Sequence, residues 1–191
     1  MTEPGVIERV GVVVPARNEE TLLPACLAAL RRAAREVCVP VRLVVAADAD
    51  TVVPASWLQR QVAHADRGWD VVLGTVTVAD WSEHPPHVPA AFAARYESGD
   101  RPHPYVHVHG ANIGIRASAY RAAGGFAALR SAEDHALVAA ADAGCSVLRA
   151  DDVTVQTSAR RHARAPHGFS HLLRTLAPAR VRAGRPRGRA L

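Results

Sequence analysis

The hydrophobic pattern opens with Val10-Gly-Val-Val-Val-Pro15, a β-branched run stopped by proline. A short continuous apolar run of this kind predicts a strand buried on both faces of a sheet. Leu22, Leu23, Cys26, Leu27 and Leu30 follow at helical spacing and predict an amphipathic helix over about residues 20–37. Acids stand near its start and Arg31, Arg32 and Arg35 late, the order that the helix dipole favours. Residues 41–46 predict a second buried strand. Strand, helix, strand in that order implies a crossover connection and an α/β sheet.

The pattern continues with a helix carrying Trp57, Leu58 and Val62 after Pro54, then a strand over 70–78. A His- and Pro-rich loop over 81–89 precedes a short helix over 90–96. Residues 105–109 alternate like a strand, and Gly110-Ala-Asn112 leads into a further strand or extended segment. A helix around 118–123 is stopped by Gly124-Gly125, and another starts at Ser131 or Glu133 and closes on Gly144 as its C-cap. Two strands, 146–149 and 153–157, and a helix over 169–176 complete the pattern, with no internal repeat. The expected fold is α/β, with a mostly parallel sheet flanked by helices.

Composition narrows the picture. With 191 residues and 49% hydrophobic content the chain can bury one sizeable core, which excludes a collagen-like or largely disordered protein. The net charge of +5 first suggests a polynucleotide binder, but its distribution says otherwise. Every basic residue is an arginine, and residues 1–152 hold 14 arginines against 18 acids, which leaves −4. Residues 153–191 hold nine arginines and no acid. An acidic body without an aromatic-plus-basic motif is no specific nucleic-acid surface. The expected organisation is one domain over 1–177 and an Arg-rich, disordered tail over 178–191, able at most to touch anionic membrane surfaces weakly. Cys26, Cys38 and Cys145 make no short-spaced metal pair, and Cys26 reads as a core residue. The first residues carry acids and no apolar core of a signal peptide. No apolar run approaches the ~20 residues of a membrane helix, so a cytoplasmic protein is expected.

Candidate chemistry centres on Asp48-Ala-Asp50 directly after the second strand. Two carboxylates two residues apart at a strand's C-terminal end can approach one hard cation, and α/β sheets bind ligands there. Alone, such a triplet also reads as a turn with solvated acids. Glu133-Asp134 at a helix start reads either as dipole-favoured acids or as functional carboxylates. Arg160-Arg161 could clamp a diphosphate by bidentate hydrogen bonds or form a solvated basic face. His107 and His109 share one face of the expected strand, where paired imidazoles could hold a transition metal or simply wall a pocket. His84 and His87 read as surface-loop residues within reach of an acceptor, and Trp81 could line a sugar site.

These segments, taken in order, resemble the family 2 glycosyltransferases and their relatives with the GT-A fold. Val10-Gly-Val-Val-Val-Pro-Ala-Arg-Asn-Glu-Glu20 is similar to the family's first strand and P-x-x-N-E turn. Ala47-Asp-Ala-Asp-Thr-Val-Val-Pro-Ala-Ser-Trp57 is similar to its D-x-D and following P-x-x-W helix start. His109-Gly-Ala-Asn-Ile-Gly-Ile-Arg-Ala-Ser-Ala-Tyr120, then Gly124-Gly-Phe126, Glu133-Asp134 and Thr157-Ser-Ala-Arg-Arg161 resemble the later blocks. The resemblance implies transfer of a sugar from a nucleotide-diphosphate sugar to an acceptor hydroxyl. It implies Mn²⁺ or Mg²⁺ on Asp48 and Asp50, with His162 the positional candidate for the late histidine ligand of some relatives and His109, from the imidazole pair, the other candidate. Donor contacts would come from Pro15, Ala16, Arg17, Glu19, Asn112, Arg160 and Arg161. Asp134 would be the base, with Glu133 as a supporting or alternative carboxylate.

One departure stands out. The family carries a further helix and strand before the D-x-D, whereas residues 41–45 here run straight into Ala46-Ala-Asp48. A strand-helix-strand unit needs roughly 30 or more residues, so none fits in this junction. Either the strand over 41–46 serves as the D-x-D strand of a shrunken sheet, or the domain is degenerate and binds its donor poorly.

Overall fold

The computed structural model describes residues 10–16, 18–37, 43–46, 48–97, 108–162 and 168–177, with backbone alone for 43–46 and 95–97. Its strands are β1 (Val10–Val13), β2 (Leu43–Ala46), β3 (Val71–Val78), β4 (Ile113–Arg116) and β5 (Val147–Thr157). Its helices are α1 (Leu23–Arg35), α2 (Trp57–Asp66), α3 (Val88–Glu97), α4 (Ala117–Ala122), α5 (Glu133–Asp142) and α6 (Phe169–Leu176). The strands form one five-stranded sheet in the order β1-β2-β4-β3-β5. Pairs β1–β2 and β3–β5 are parallel, and β4 runs antiparallel to both its neighbours. Four strands therefore point one way, as the sequence pattern implied, and β4 is wedged between them.

The apolar run of β3 explains where the core lies. Val71 and Leu73 face one side with Ile113, Ile115, Ala119, Leu137, Val138 and Ala141. Val72 and Val76 face the other side with α1, α2, Val153, Val155, Phe92 and Leu173. A strand covered on both faces needs side chains that are apolar at every position, which is why β3 reads as a continuous run rather than as an alternation.

Two expectations need correction. The opening run does not form a buried strand: β1 stands at the end of the sheet, with Val12 36% and Val13 51% exposed. Its described partner is β2 on one side alone, so β-branched residues that suit a covered strand here meet water. The strands expected at 146–149 and 153–157 are one strand, β5, whose register against β3 jumps between Gly74–Ala150 and Thr75–Thr154. The extra residues form an irregularity around Asp151–Val153, a common way to bend a strand without ending it. Gly110–Asn112 is a 3₁₀ turn that leads into β4, the further strand expected there. Residues 105–107 of the alternating segment lie outside the described residues, as does the tail over 178–191. Val108 and His109, which end that segment, carry no strand assignment.

The 3₁₀ turn delivers Asn112 into the middle of the fold, where it is fully buried. Its Oδ1 accepts from Trp57 Nε1 at 2.9 Å and from Gln61 Nε2 at 3.4 Å. Its Nδ2 donates to Thr75 O and Val153 O, each at 2.8 Å. One amide thus ties α2, β3 and the β5 irregularity to the turn. The close approach also fixes a glycine, since a Cβ on Gly74 would lie 2.2 Å from Val153 O and 2.3 Å from Asn112 Nδ2.

Truncation at Asn112 strands a buried indole N–H and two carbonyls, so Asn112→Ala should cost about 2–4 kcal/mol in denaturant unfolding. Gly144→Ala, where an added Cβ meets nothing within 4 Å, should stay within about 0.5 kcal/mol of the parent.

Candidate functional site

The D-x-D turn follows directly from β2, and its backbone is held from two directions. Asp48 O accepts from Thr51 N at 3.0 Å, which closes the turn, and from the Cys26 thiol on α1 at 3.5 Å. Val52 then forms an antiparallel bridge with Gln156, with hydrogen bonds of 2.8 and 3.0 Å. That bridge sets the end of β5 beside Asp50 and explains why a residue as distant as Arg160 reaches it.

Arg160 lies in the middle of an ion cluster. Its Nη1 and Nη2 donate to Glu19 Oε2 and Oε1 at 2.9 and 2.8 Å, a bidentate pair. Nη2 also stands 3.0 Å from Asp50 Oδ2. Glu19 stands in the turn that leads into α1, its carbonyl accepting from Leu22 N and Leu23 N. The P-x-x-N-E turn and the D-x-D turn are therefore joined through one guanidinium. Asp134 approaches from the first turn of α5, with Gly110 N donating to its Oδ2 at 3.0 Å. The turn that buries Asn112 therefore also holds Asp134. Sequence reasoning missed this pairing of Gly110 with Asp134, because the spacing between them carries no local pattern.

The carboxylates outnumber the cation. Burial, then Asp50, Asp134 and Glu133, push the Asp48 carboxyl up to about 6, against the pull of Arg160. The Asp50 carboxyl also stands above its ordinary value: burial raises it, Arg160 pulls it back, and Glu19 raises it. Glu19 and Asp50 in turn raise the Arg160 guanidinium. A group of hard oxygens with unneutralised charge suits a divalent cation in donor type. Beside it the buried Thr51 hydroxyl has no hydrogen-bond partner. Among the described residues no three His, Cys, Asp or Glu side chains stand in a ligating group, so Asp48 and Asp50 would supply the protein's share and ligand or water oxygens the rest.

A cleft of about 200 Å³ opens beside Asp50 and Arg160, lined also by Asp80, Ser82, Glu83 and Thr157. That is below the about 300–1,000 Å³ of ordinary small-molecule pockets.

Several expected site residues are placed elsewhere. Asn112 does not face a donor, since its amide is buried and fully engaged. Arg161 turns to the loop over 81–87, its N–H donating to Glu83 Oε2 at 2.9 Å. His109 packs edge-on against Phe169 at 6.1 Å between ring centroids, and His162 is exposed. Neither joins Asp48 and Asp50 in a three-residue metal group. His84 is buried, with Nε2 2.6 Å from Ala159 O, rather than on a loop surface. Exposed His87 lies 3.2 Å from Leu176 O, and Trp81 packs against His84 and Phe92. Pro15 and Ala16 are exposed at the end of β1, and Arg17 and His107 lie outside the described residues. Glu133 is exposed at the start of α5.

Solved structures settle the fold. S. aureus TarS residues 1–349, in complex with UDP-GlcNAc, matches with a TM-score of 0.59 at 13% identity, covering 88% of this chain and 65% of that one. The mannosyltransferase PcManGT of Pyrobaculum calidifontis, in complex with GDP-Man and Mn²⁺, matches with a TM-score of 0.57 at 16% identity, covering 92% and 70%. The chain has a GT-A glycosyltransferase-like fold. It spans about two thirds of the length of each neighbour. No family model and no curated protein matches it. No helix among the described residues is long and apolar enough to cross a membrane.

The Asp48 carboxyl gives a pH signature. Because its folded pKa lies above the ordinary 3.8, the folded state holds the proton more tightly, and stability falls as pH rises from about 4 to about 6. The loss is on the order of 2–3 kcal/mol. In metal-free buffer Asp48→Asn should lose this decline and exceed the parent at pH 7 by about 1–3 kcal/mol, read by denaturant unfolding at pH 4.5 and 7.

Proposed function

We propose that this chain is a family 2-type glycosyltransferase domain that takes a nucleotide-diphosphate sugar and transfers its sugar to an acceptor hydroxyl. The observation that carries the reading is the meeting of Asp48, Asp50, Asp134 and Glu133 within electrostatic reach of one another on a GT-A-like sheet. Carboxylates brought together from separate segments at a cost to stability are characteristic of sites that use them on something cationic or reactive. The neighbours crystallised with UDP-GlcNAc and with GDP-Man and Mn²⁺ support the donor class.

In this reading Asp48 and Asp50 hold a divalent cation, which when bound supplies positive charge to offset the negative charge developing on the leaving diphosphate. Glu19 and the exposed Pro15–Ala16 turn border the nucleotide side. Asp134 is the base: a carboxylate oxygen takes the proton from the acceptor hydroxyl as that oxygen attacks the sugar's anomeric carbon and the diphosphate departs. The hydrogen bond from Gly110 N fixes the orientation of that carboxylate. Glu133, beside it and exposed, adds negative charge or serves in its place.

Calorimetric titration with Mn²⁺ and a panel of uridine- and guanosine-diphosphate sugars tests the reading, and a folded protein that binds none of them would exclude it. Asp134→Asn should lower kcat by about 10²–10⁴-fold and leave the donor Kd within about threefold.

A second reading has its own support. The D-x-D turn follows the second strand with no intervening unit, β1 lies at the sheet edge, and the cleft is small. A domain that lost a strand-helix-strand unit would keep the carboxylates and lose the wall that grips the base. Such a domain would bind metal and carbohydrate without turnover, and Asp134→Asn would then change nothing measurable.

A further inference from the structure

Arg160 meets Asp50 and Glu19 unequally. It grips Glu19 by both Nη atoms, at 2.9 and 2.8 Å, but touches Asp50 through Nη2 alone at 3.0 Å. Its Nε is buried without a hydrogen-bond partner, so the guanidinium is incompletely satisfied where it stands. Its side chain is 26% exposed and lines the cleft beside Asp50, which gives it somewhere to go. A contact of one corner can be given up while the bidentate anchor remains.

We propose that Arg160 is the resident counter-ion of the D-x-D turn, competing with a divalent cation for Asp50 and released from it when the cation binds. The proposal rests on the reading of Asp48 and Asp50 as a cation site, and goes beyond a passive diphosphate clamp. A guanidinium and a divalent cation held against the same Asp50 oxygen repel each other, whereas either alone neutralises it. Binding of one therefore weakens the other, and the linkage is reciprocal. Once freed from Asp50, the guanidinium still hangs from Glu19 at the cleft wall, where it can face an anionic ligand. The cation-free protein thus keeps its acidic turn partly neutralised, and the cation takes over that task only after displacing Arg160.

The test is Mn²⁺ affinity of the full chain, measured by the free-Mn²⁺ electron paramagnetic resonance signal at low ionic strength and without any donor. Arg160→Gln, checked for native folding by near-ultraviolet circular dichroism, should bind Mn²⁺ tighter than the parent by about 5- to 100-fold. Arg160→Lys keeps a charge and should bind Mn²⁺ less tightly than Arg160→Gln. A purely structural Arg160 would leave Mn²⁺ affinity equal or weaker in Arg160→Gln, and that result overturns the competition while leaving the cation site intact. No Mn²⁺ binding by parent or variant at millimolar concentration overturns both the competition and the metal reading. Should Arg160→Gln fail to fold, the parent carries the test with diamagnetic Mg²⁺. The Arg160 Nε–Hε resonance, assigned by its loss in Arg160→Lys, must shift on Mg²⁺ titration; an unmoved resonance at saturation overturns the proposal.

Discussion

The buried side-chain amide of Asn112 is the contact from which the geometry of the site follows. Its four hydrogen bonds reach Trp57, Gln61, Thr75 and Val153, so α2 and the two longest strands share one polar anchor. An unsatisfied amide in that position would be costly, and this one is satisfied on every side, which makes the arrangement specific rather than merely tolerated. The consequence runs outward along two short paths. Through the 3₁₀ turn it fixes Gly110, and through Gly110 N the carboxylate of Asp134. Through Val153 it fixes the β5 irregularity, after which the strand runs on to Gln156, its bridge to Val52, and Arg160. The candidate base and the guanidinium are therefore positioned by the same buried residue from opposite sides.

Electrostatics oppose this packing. Glu19, Asp48, Asp50, Glu133 and Asp134 gather where, among the described residues, Arg160 is the cation that answers them, and burial together with the neighbouring carboxylates raises the Asp48 carboxyl. Local conflict of this kind, set on an otherwise consistent fold, is characteristic of sites shaped by function rather than stability. The apolar core around it is packed on both faces: Val71, Leu73, Ile113 and Leu137 pack together on one side of the sheet, and Val72, Val153 and Trp57 on the other.

What could be read from sequence divides along a physical line. Helical spacing of apolar residues made α1 legible, and α6 follows its expected bounds, because those signals are local. The turn of Asp48-Ala-Asp50 after the second strand was legible because it follows an apolar run directly, whereas its contact with Arg160 carries no local signal. Burial of β1 was not legible: Val10 to Val13 have the composition of a covered strand, and only the sheet order reveals the edge. Asn112 was misread for a related reason. A polar residue in a functional block resembles a ligand contact, and nothing local tells that Trp57 and Gln61 will close over it. The adjacent pair Arg160-Arg161 looked like one clamp, but past the end of β5 the chain bends and the two residues take different partners. One reaches Glu19 and Asp50, the other Glu83.

The edge position of β1 gives the ion cluster a second meaning. A strand with one described neighbour has half the lateral support of a central strand, and its following turn would otherwise be tied to the sheet mainly through α1. The bidentate pair between Glu19 and Arg160, 141 residues apart in sequence, fastens that turn directly to the end of β5. Arg160 therefore serves two requirements that pull differently. Holding Glu19 steadies the edge of a short sheet, whereas holding Asp50 masks the charge that, in the proposed competition, a divalent cation would meet. A guanidinium resolves this where an ammonium would not, because its fork can keep two hydrogen bonds on one carboxylate while releasing a third contact to another. The asymmetry of two bonds to Glu19 and one to Asp50 is thus the arrangement that the proposed release from Asp50 calls for, with the anchor kept while the single contact is given up.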